Sequence, residues 1–366
     1  MFLKSLSILN YKNIGEAELR FSPDINCLLG NNGMGKSNLL DAVYYLSFCK
    51  SCSNLPDSQN VRRGEQMFML KGVYGGVAEG SDTEVHCGFK LHQKKVFKRD
   101  GKEYDRLSDH IGCIPLVIVW PEDFDIVREG SDVRRRFIDQ TLSQFDGRYL
   151  SALIAYNKAL ASRNAMLRNG SSQVELFELI EEQMGCAADF IYARRASFVE
   201  EFVPVFERFY ADICAGDETV SLSYRSHAAE GDLPAQLAES RVRDMAVGFS
   251  TRGVHKDDLV MEIGGFQLKK FGSQGQTKSF VIALRLAQFE FLKRCSGKTP
   301  LLLLDDIFDK LDASRVERIM AIVSGSGFGQ IFVTDTNRKY LDAILRSAAG
   351  EYRLFGVENG VVSDMV

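Results

Sequence analysis

Apolar and polar residues alternate at two-residue spacing along Leu3–Asn10 and Ala17–Phe21, which predicts two half-buried strands. Ile25–Leu29 reads as a third, buried strand, followed by a Gly/Asn loop and a helix from about Lys36 to Phe48. Met67–Tyr74, Val85–Leu91 and Lys95–Lys98 read as further strands, and Ile114–Trp120 is an apolar run closed by Pro121. From Asp132 to about Cys214 the period lengthens to three and four residues, with Pro204 the one proline. Leu150, Leu153, Leu160 and Leu167 fall near one helix face; Phe177, Ile180, Met184, Ala187, Ile191, Phe198 and Phe202 form a second stripe. These predict long amphipathic helices, an antiparallel pair or small bundle turning at Arg168–Ser172, with the stripes facing a core and too short for an extended coiled-coil arm. The last third returns to mixed structure. A hairpin is expected around Gly264-Gly265, with Asp258–Ile263 and Phe266–Lys270 as its strands. Then come a helix over Gln276–Cys295, a buried strand at Leu301–Leu304, a helix over Ala313–Val323 and a strand at Gln330–Thr334.

The order is therefore α/β, all-α, α/β: residues 1–130 and 246–366 as two parts of one nucleotide-binding head, and 131–245 as a helical lobe splitting it in sequence. At 366 residues, 45% hydrophobic and 26% charged, the chain has enough apolar material for a core without disulfides or metals. No apolar run approaches the roughly 18 residues of a membrane span, and the amino terminus turns polar at Asn10–Asn13, so no secretory signal, no membrane and a cytoplasmic location are expected. A net charge of −4 excludes a broadly basic, histone-like binder but leaves room for a local basic face. Of eight cysteines only Cys49 and Cys52 form a C-x-x-C pair. Reduced thiols are the expected state, with a redox or metal role for that pair the other reading.

Gly30-Asn31-Asn32-Gly33-Met34-Gly35-Lys36-Ser37 matches G-x-x-x-x-G-K-S between a predicted strand and a predicted helix. Glycines at 30, 33 and 35 let the backbone turn its N–H groups onto phosphate oxygens. Lys36 would reach the β- and γ-phosphates of ATP, and the Ser37 hydroxyl would ligate Mg²⁺. Leu301–Leu304 ends in Asp305-Asp306. On a buried parallel strand Asp305 stands at the carboxyl edge of the sheet, able to hold Mg²⁺, and Asp306 is placed to polarise an attacking water. A solvated helix cap is the plainer alternative for the pair. Phe271-Gly272-Ser273-Gln274-Gly275-Gln276 precedes a long helix and offers a second anion site at its amino end.

That second cluster lies upstream of the acidic strand, as signature motifs do in ABC and SMC ATPases, and Asp309-Lys310-Leu311-Asp312 resembles their D-loop. Val333-Thr334-Asp335-Thr336 stands where a γ-phosphate-sensing residue would. Together with Tyr11-Lys12-Asn13, Pro121-Glu122-Asp123, Arg134–Asp139, Arg163–Leu167 and Gly253–Asp258, these segments make the chain similar to the RecF family of SMC-like ATPases along nearly its whole length. The resemblance implies an ABC-type (SMC-like) P-loop ATPase head split by a helical lobe. It implies ATP contacts from Lys12, Asn13, Gly30, Asn31, Asn32, Gly33, Met34, Gly35, Lys36, Ser37 and Asn38. It implies Ser273, Gln274, Gly275 and Gln276 acting in trans, with Asp312 in the D-loop. It also implies an ATP-dependent homodimer, slow hydrolysis, and DNA binding alongside RecO and RecR in recombinational repair.

Candidate DNA contacts are Arg62, Arg63, Lys94, Lys95, Lys98 and Arg99, each otherwise a solvated or salt-bridged residue. Arg134–Arg136, Arg194-Arg195 and Lys269-Lys270 are further basic clusters, Arg135 being open to an ATP or lobe-interface role. With no helix-turn-helix or zinc-finger spacing, binding to single-stranded and duplex DNA is expected to be sequence-independent and salt-sensitive. His255 with Asp257 and Asp258 reads either as a structural group or as a metal or catalytic one. The competing functional readings are an ABC transporter ATPase subunit and a scaffold that uses ATP only structurally.

Overall fold

The structure, a computed structural model, describes all residues except 54, 79, 217, 308–310, 326, 337–350 and 366. Asn54, Asp309 and Lys310 thus lie outside the described residues. The chain divides into two compact units, residues 1–123 with 288–366, and residues 124–287. These divisions fall at 123/124 and inside a helix at 287/288, where the sequence pattern suggests 130/131 and 245/246.

The first unit opens with β1 (Phe2–Tyr11), β2 (Ile14–Arg20) and β3 (Ile25–Leu29), then α1 (Lys36–Phe48), β4 (Met67–Ala78), β5 (Ser81–Lys90), β6 (Val96–Arg99), β7 (Lys102–Glu103) and β8 (Leu116–Val119). β2-β1-β4-β5-β6-β7 form an antiparallel sheet. Eleven of the thirteen residues of α1 are buried, so it has no solvent face: it contacts β1, β4 and β5 of this sheet and β8, β12 and β13 of the next.

The second unit contains α2 (Asp125–Arg128), α3 (Ser131–Ser143), α4 (Gly147–Arg168), the 41-residue α5 (Val174–Cys214), β9 (Val220–Arg225), α6 (Leu233–Val247), β10 (Asp258–Ile263), β11 (Phe266–Gln267), α7 (Leu268–Phe271) and the start of α8 (Gln274–Ser296). The expected α5 stripe is buried at Phe177, Ile180, Met184, Ile191, Phe198 and Phe202, with Ala187 half-buried. On α4 the buried face is instead Tyr149, Tyr156, Ala159, Arg163 and Leu167. Leu150, Leu153 and Leu160 are only half-buried, because tyrosine rings and an ion-paired arginine fill the seam expected of leucines. Gly185 marks the crossing with α6, where a Cβ would come within 2.6 Å of Pro234. The expected strand Phe266–Lys270 is two residues long and gives way to α7.

After α8 come β12 (Leu301–Asp305), α9 (Ala313–Val323), β13 (Ile331–Asp335), β14 (Tyr352–Glu358) and β15 (Val361–Met365). β15-β14-β3-β13-β12-β8 form one sheet, parallel but for the β15 edge. Buried on both faces, β3, β8, β12 and β13 read as apolar runs. Gln330, 1% exposed, accepts from Leu3 N at 2.7 Å and donates to Leu3 O and Ser22 O, stitching the two sheets together. Sheet order puts β13 between the P-loop strand β3 and the acidic strand β12, and the carboxyl ends of all three share one edge.

Candidate nucleotide site

The loop from β3 to α1 is shaped by its glycines. Gly33 and Gly35 have φ of 80° and 115°, a region closed to most side chains. A Cβ on Gly30 would lie 2.2 Å from Val357 O. Asn13 donates to Met34 O at 3.1 Å and accepts from Asn38 Nδ2 at 2.8 Å. Gly360 N donates to Met34 O at 2.8 Å, from an Asn359-Gly360 turn whose φ values of 49° and 79° suit a tight hairpin. Asn13 and Asn38 therefore hold the loop's shape. The Asn-Gly turn, whose dipeptide signal sequence reading passed over, buttresses it.

Lys36 is 6% exposed, and its ammonium donates to Gly30 O at 2.6 Å and Asn31 O at 3.0 Å. Burial lowers its pKa, while the carboxylates of Asp306, Asp305 and Asp335 pull it upward. Those acids define the opposite wall. Asp305 is 4% exposed and accepts from Thr334 Oγ1 at 2.6 Å and from the Ser37 hydroxyl. Burial raises its carboxyl pKa and Asp306 adds to the rise; Thr334, Ser37 and Lys36 oppose it. Thr334 Oγ1 also accepts from Asp306 N at 3.0 Å. Asp306 has φ of 49°, a left-handed conformation that Asp tolerates better than most residues, and it is partly exposed. Four groups picked out by sequence, Lys36, Ser37, Asp305 and Asp306, thus converge. Thr334 joins them as the clamp on both acids, and Asp335 ends the intervening strand.

The cradle fits a polyphosphate. It has positive-φ glycines with open space beside Gly33, a buried ammonium and a helix amino terminus. Ser37 Oγ and the Asp305 carboxylate, already hydrogen-bonded, form the donor pair that suits a small oxygen-seeking cation such as Mg²⁺. Lys12 is held elsewhere, paired with the buried Asp41 at 2.5 Å. Asp41 also accepts from Tyr11 OH at 2.7 Å, Ser51 Oγ at 2.8 Å and Cys52 N at 2.7 Å. Burial alone would raise the Asp41 carboxyl, but Lys12 and these hydrogen bonds hold it below its ordinary range. The Cys49-Cys52 segment is tied to this network: both thiols have their pKa raised by burial, no disulfide joins them, and among the described residues no group of His, Cys, Asp and Glu can hold a metal.

In the second unit, Ser273 and Gln276 form a capping box. Ser273 N donates to Gln276 Oε1 at 2.8 Å, and Gln276 N to Ser273 Oγ at 3.2 Å. Ser273 and Gln274 are exposed. The Gln276 side chain is not turned outward as expected; its Nε2 donates to Glu218 at 2.6 Å. An anion would meet the Ser273 hydroxyl and the first-turn N–H groups of Gln274 and Gly275. Asp312 is the cap of α9, accepting from Arg315 N at 2.9 Å.

The arginine and histidine motifs are engaged within the second unit. Arg134 grips Asp258 through two nitrogens at 2.6 and 3.2 Å, and Arg135 donates to Asp257 O at 2.6 Å. Arg195 pairs with Asp139 at 2.8 Å and Asp257 at 2.7 Å; Arg194 pairs with Asp146 at 2.9 Å. His255 lies between Tyr156 OH and Ser250 O, and burial lowers its pKa to about 4, keeping it neutral. Among the candidate DNA contacts, Arg62, Arg63, Lys94 and Arg99 are exposed and Lys98 is half-buried. Lys95 departs from expectation: its ammonium is pulled inward onto Asp57 at 2.9 Å, Cys49 O at 2.6 Å and Tyr45 OH at 2.9 Å, because the end of α1 offers it two acceptors and the turn at Asp57–Asn60 a third.

With this geometry in view, known proteins give a consistent picture. The AAA ATPase domain family matches residues 1–184. The DNA replication and repair protein RecF of Phocaeicola vulgatus is 55% identical over all of this chain and 98% of its own length, and that of Bacteroides fragilis is 53% identical over 100% and 99%. A solved structure of the recombination mediator protein RecF with ATPrS, in the RecFOR pathway, is 27% identical, with a TM-score of 0.89 over 100% of this chain and 98% of that one. The Smc head domain of Pyrococcus furiosus shares the fold at 16% identity and a TM-score of 0.61. Among the described residues no helix is long and apolar enough to cross a membrane, and the transporter-subunit reading finds no support among these relatives. Full-length identity above one half, with the P-loop and acidic strand end converging as that fold requires, establishes that the chain belongs to the RecF family of DNA replication and repair ATPases, built on the ABC/SMC-type head.

Proposed function

We propose that this chain is an ATP-gated DNA-binding protein of recombinational repair. Two copies close face to face on DNA, each ATP lying between the P-loop of one copy and the Ser273 loop of the other. The observation that carries the reading is the convergence of Lys36, Ser37, Asp305 and Asp306 on one edge of the parallel sheet. Lys36 exchanges the carbonyls of Gly30 and Asn31 for phosphate oxygens, a gain in charge pairing that a bound triphosphate supplies. Asp306, aimed by its left-handed backbone and by Thr334, orients and deprotonates the attacking water. Mg²⁺ held by Ser37 and Asp305 would neutralise charge on the phosphate oxygens. The Ser273 hydroxyl and the first-turn N–H groups of Gln274 and Gly275 complete the site from the second copy, so nucleotide favours the closed state by its extra contacts there. Turnover then releases the DNA. Partners of the RecO and RecR kind, and a cytoplasmic setting in which the eight cysteines stay reduced, complete the picture.

Sedimentation with ATP, ADP and no nucleotide tests this. Wild type is expected to dimerise with ATP alone. Lys36→Ala should lose nucleotide binding and dimerisation together. Asp306→Asn should dimerise with ATP yet turn over at least about 100-fold more slowly. One oligomeric state under all three conditions would sink the clamp.

A further inference from the structure

We propose that Glu218 is a positioning residue: it sets the geometry of the Ser273 loop through Gln276 and ties that loop to the carboxyl end of α5. The proposal rests on the ATP-sandwich reading above. Both Glu218 oxygens are engaged, Oε1 accepting from Gln276 Nε2 at 2.6 Å and Oε2 from Tyr210 OH at 2.6 Å. The Gln276 amide is a relay, for its Oε1 accepts from Ser273 N at 2.8 Å. A carboxylate pulling on one end of an amide polarises the other end, so the charge on Glu218 strengthens the capping box. With its own N–H directed to Gln276, Ser273 is fixed with its hydroxyl at the exposed mouth of the helix.

The other end of the tether is α5. That helix stops at Ala215, whose φ of 62° turns the chain back, so that Glu218 returns to Tyr210 on the last turn but one. Tyr210 is fully buried against Phe280, with ring centroids 6.0 Å apart, and Phe206 meets the same ring at 4.6 Å. Gln276 and Phe280 are four residues apart and share one face of α8. One face of the signature helix is therefore bolted to α5 by an aromatic contact and, a turn nearer the loop, by Glu218. A displacement of the 41-residue α5 is passed on to the loop that senses phosphate. That is a route by which what the helical unit holds can govern ATP use.

The test uses full-length Glu218→Ala, Glu218→Gln and Tyr210→Phe, with nucleotide binding, ATP-dependent dimerisation and turnover measured on each. Glu218→Ala is expected to raise the ATP concentration for half-dimerisation about tenfold, as loss of a charge-assisted hydrogen bond would. Binding of a fluorescent ATP analogue to the monomer should not change. Glu218→Gln keeps an acceptor for Gln276 and should fall between Ala and wild type; Tyr210→Phe keeps the ring and should weaken dimerisation about threefold. A mixture of Glu218→Ala with Lys36→Ala separates positioning from damage to the fold. Each mixed dimer has one site with a sound P-loop and a sound signature loop, so at an ATP concentration where Glu218→Ala alone is mostly monomeric the mixture should turn over faster than the sum of the two variants assayed separately. A mixture as inactive as its parts, or a Glu218→Ala protein that dimerises at the wild-type ATP concentration, overturns the proposal. A wild type that stays monomeric with ATP instead removes the reading on which it rests.

Discussion

Asp305 ends a strand whose other four residues are leucines, and it is as buried as they are. Two hydroxyls, from Thr334 and Ser37, do not replace the hydration that its carboxylate has lost, so its pKa is raised mainly by burial. A carboxyl whose pKa is higher folded than unfolded holds its proton better in the native state. Stability from it is therefore present at low pH and lost as pH rises through the folded value, and at pH 7 the protein carries the full cost. Removing the charge should relieve it. Asp305→Asn is expected to melt at least about 2 °C higher at pH 7 without nucleotide, with the gain shrinking toward the carboxylate range. The same variant should lose Mg²⁺-dependent nucleotide retention. Thermal melts at pH 7 and pH 4.5 check this, and an unchanged or lower melting point at pH 7 would mean that Asp305 is not strained. At the same scale, Lys12, which the resemblance makes an ATP contact, has its ammonium on Asp41, and Asp41 in turn binds the chain after α1 at Ser51 and Cys52.

Elements were legible where the sequence carries a conformational demand. The P-loop spacing shows because only glycine accepts the φ values at 33 and 35, and the α5 stripe shows because its core face is aromatic and aliphatic. The segment Val333–Thr336 stood out as a phosphate-sensing strand end, but the Thr334 bonds to Asp305 and Asp306 did not show, because β13 reaches those acids by sheet order and not by sequence proximity. The α4 seam misled because three of its five buried positions are Tyr149, Tyr156 and Arg163, two amphipathic residues and a charged one, which do not make a leucine stripe. Arg163 is fully buried and donates to Glu181 at 3.0 Å, Asp244 at 2.7 Å, Ser250 Oγ at 2.8 Å and Leu237 O at 2.9 Å. The Arg163–Leu167 motif that helped mark the family is thus a fastening of α4 to α5 and α6. Arg163→Met is expected to cost roughly 3 kcal/mol in urea unfolding, because it leaves the buried Asp244 carboxylate without a cation, whereas Glu181 keeps Arg241 at 2.6 Å. Adding Asp244→Asn should restore part of the loss; a single variant within about 0.5 kcal/mol of wild type would show that the network contributes nothing net.

For the molecule as a whole, the question is how a protein of net charge −4 holds a polyanion. Overall charge gives no attraction, so binding has to come from a local surface whose cations are not already paired. Lys95 is removed from that set by Asp57, and Arg134, Arg194 and Arg195 by their own carboxylates. Arg62 and Arg63 remain as the exposed pair just after the bridge between Tyr11 and Val61. A cation that touches a phosphate releases a condensed counterion, so each lost contact flattens the slope of log K against log salt by about 0.9 on duplex DNA. The double variant Arg62→Gln/Arg63→Gln should therefore bind gapped duplex more weakly and with a slope smaller by about 1.8, in ATP and at every sequence tried. Lys95→Gln should leave the slope where it is, while loosening the end of α1 enough to lower the melting point. Titrations from 50 to about 200 mM salt, with ATP and with ADP, separate these outcomes. A slope unchanged in the arginine pair but reduced in Lys95→Gln would place the DNA on the β6 side of the sheet, and a slope indifferent to nucleotide would uncouple DNA binding from the ATP-driven closure of two copies.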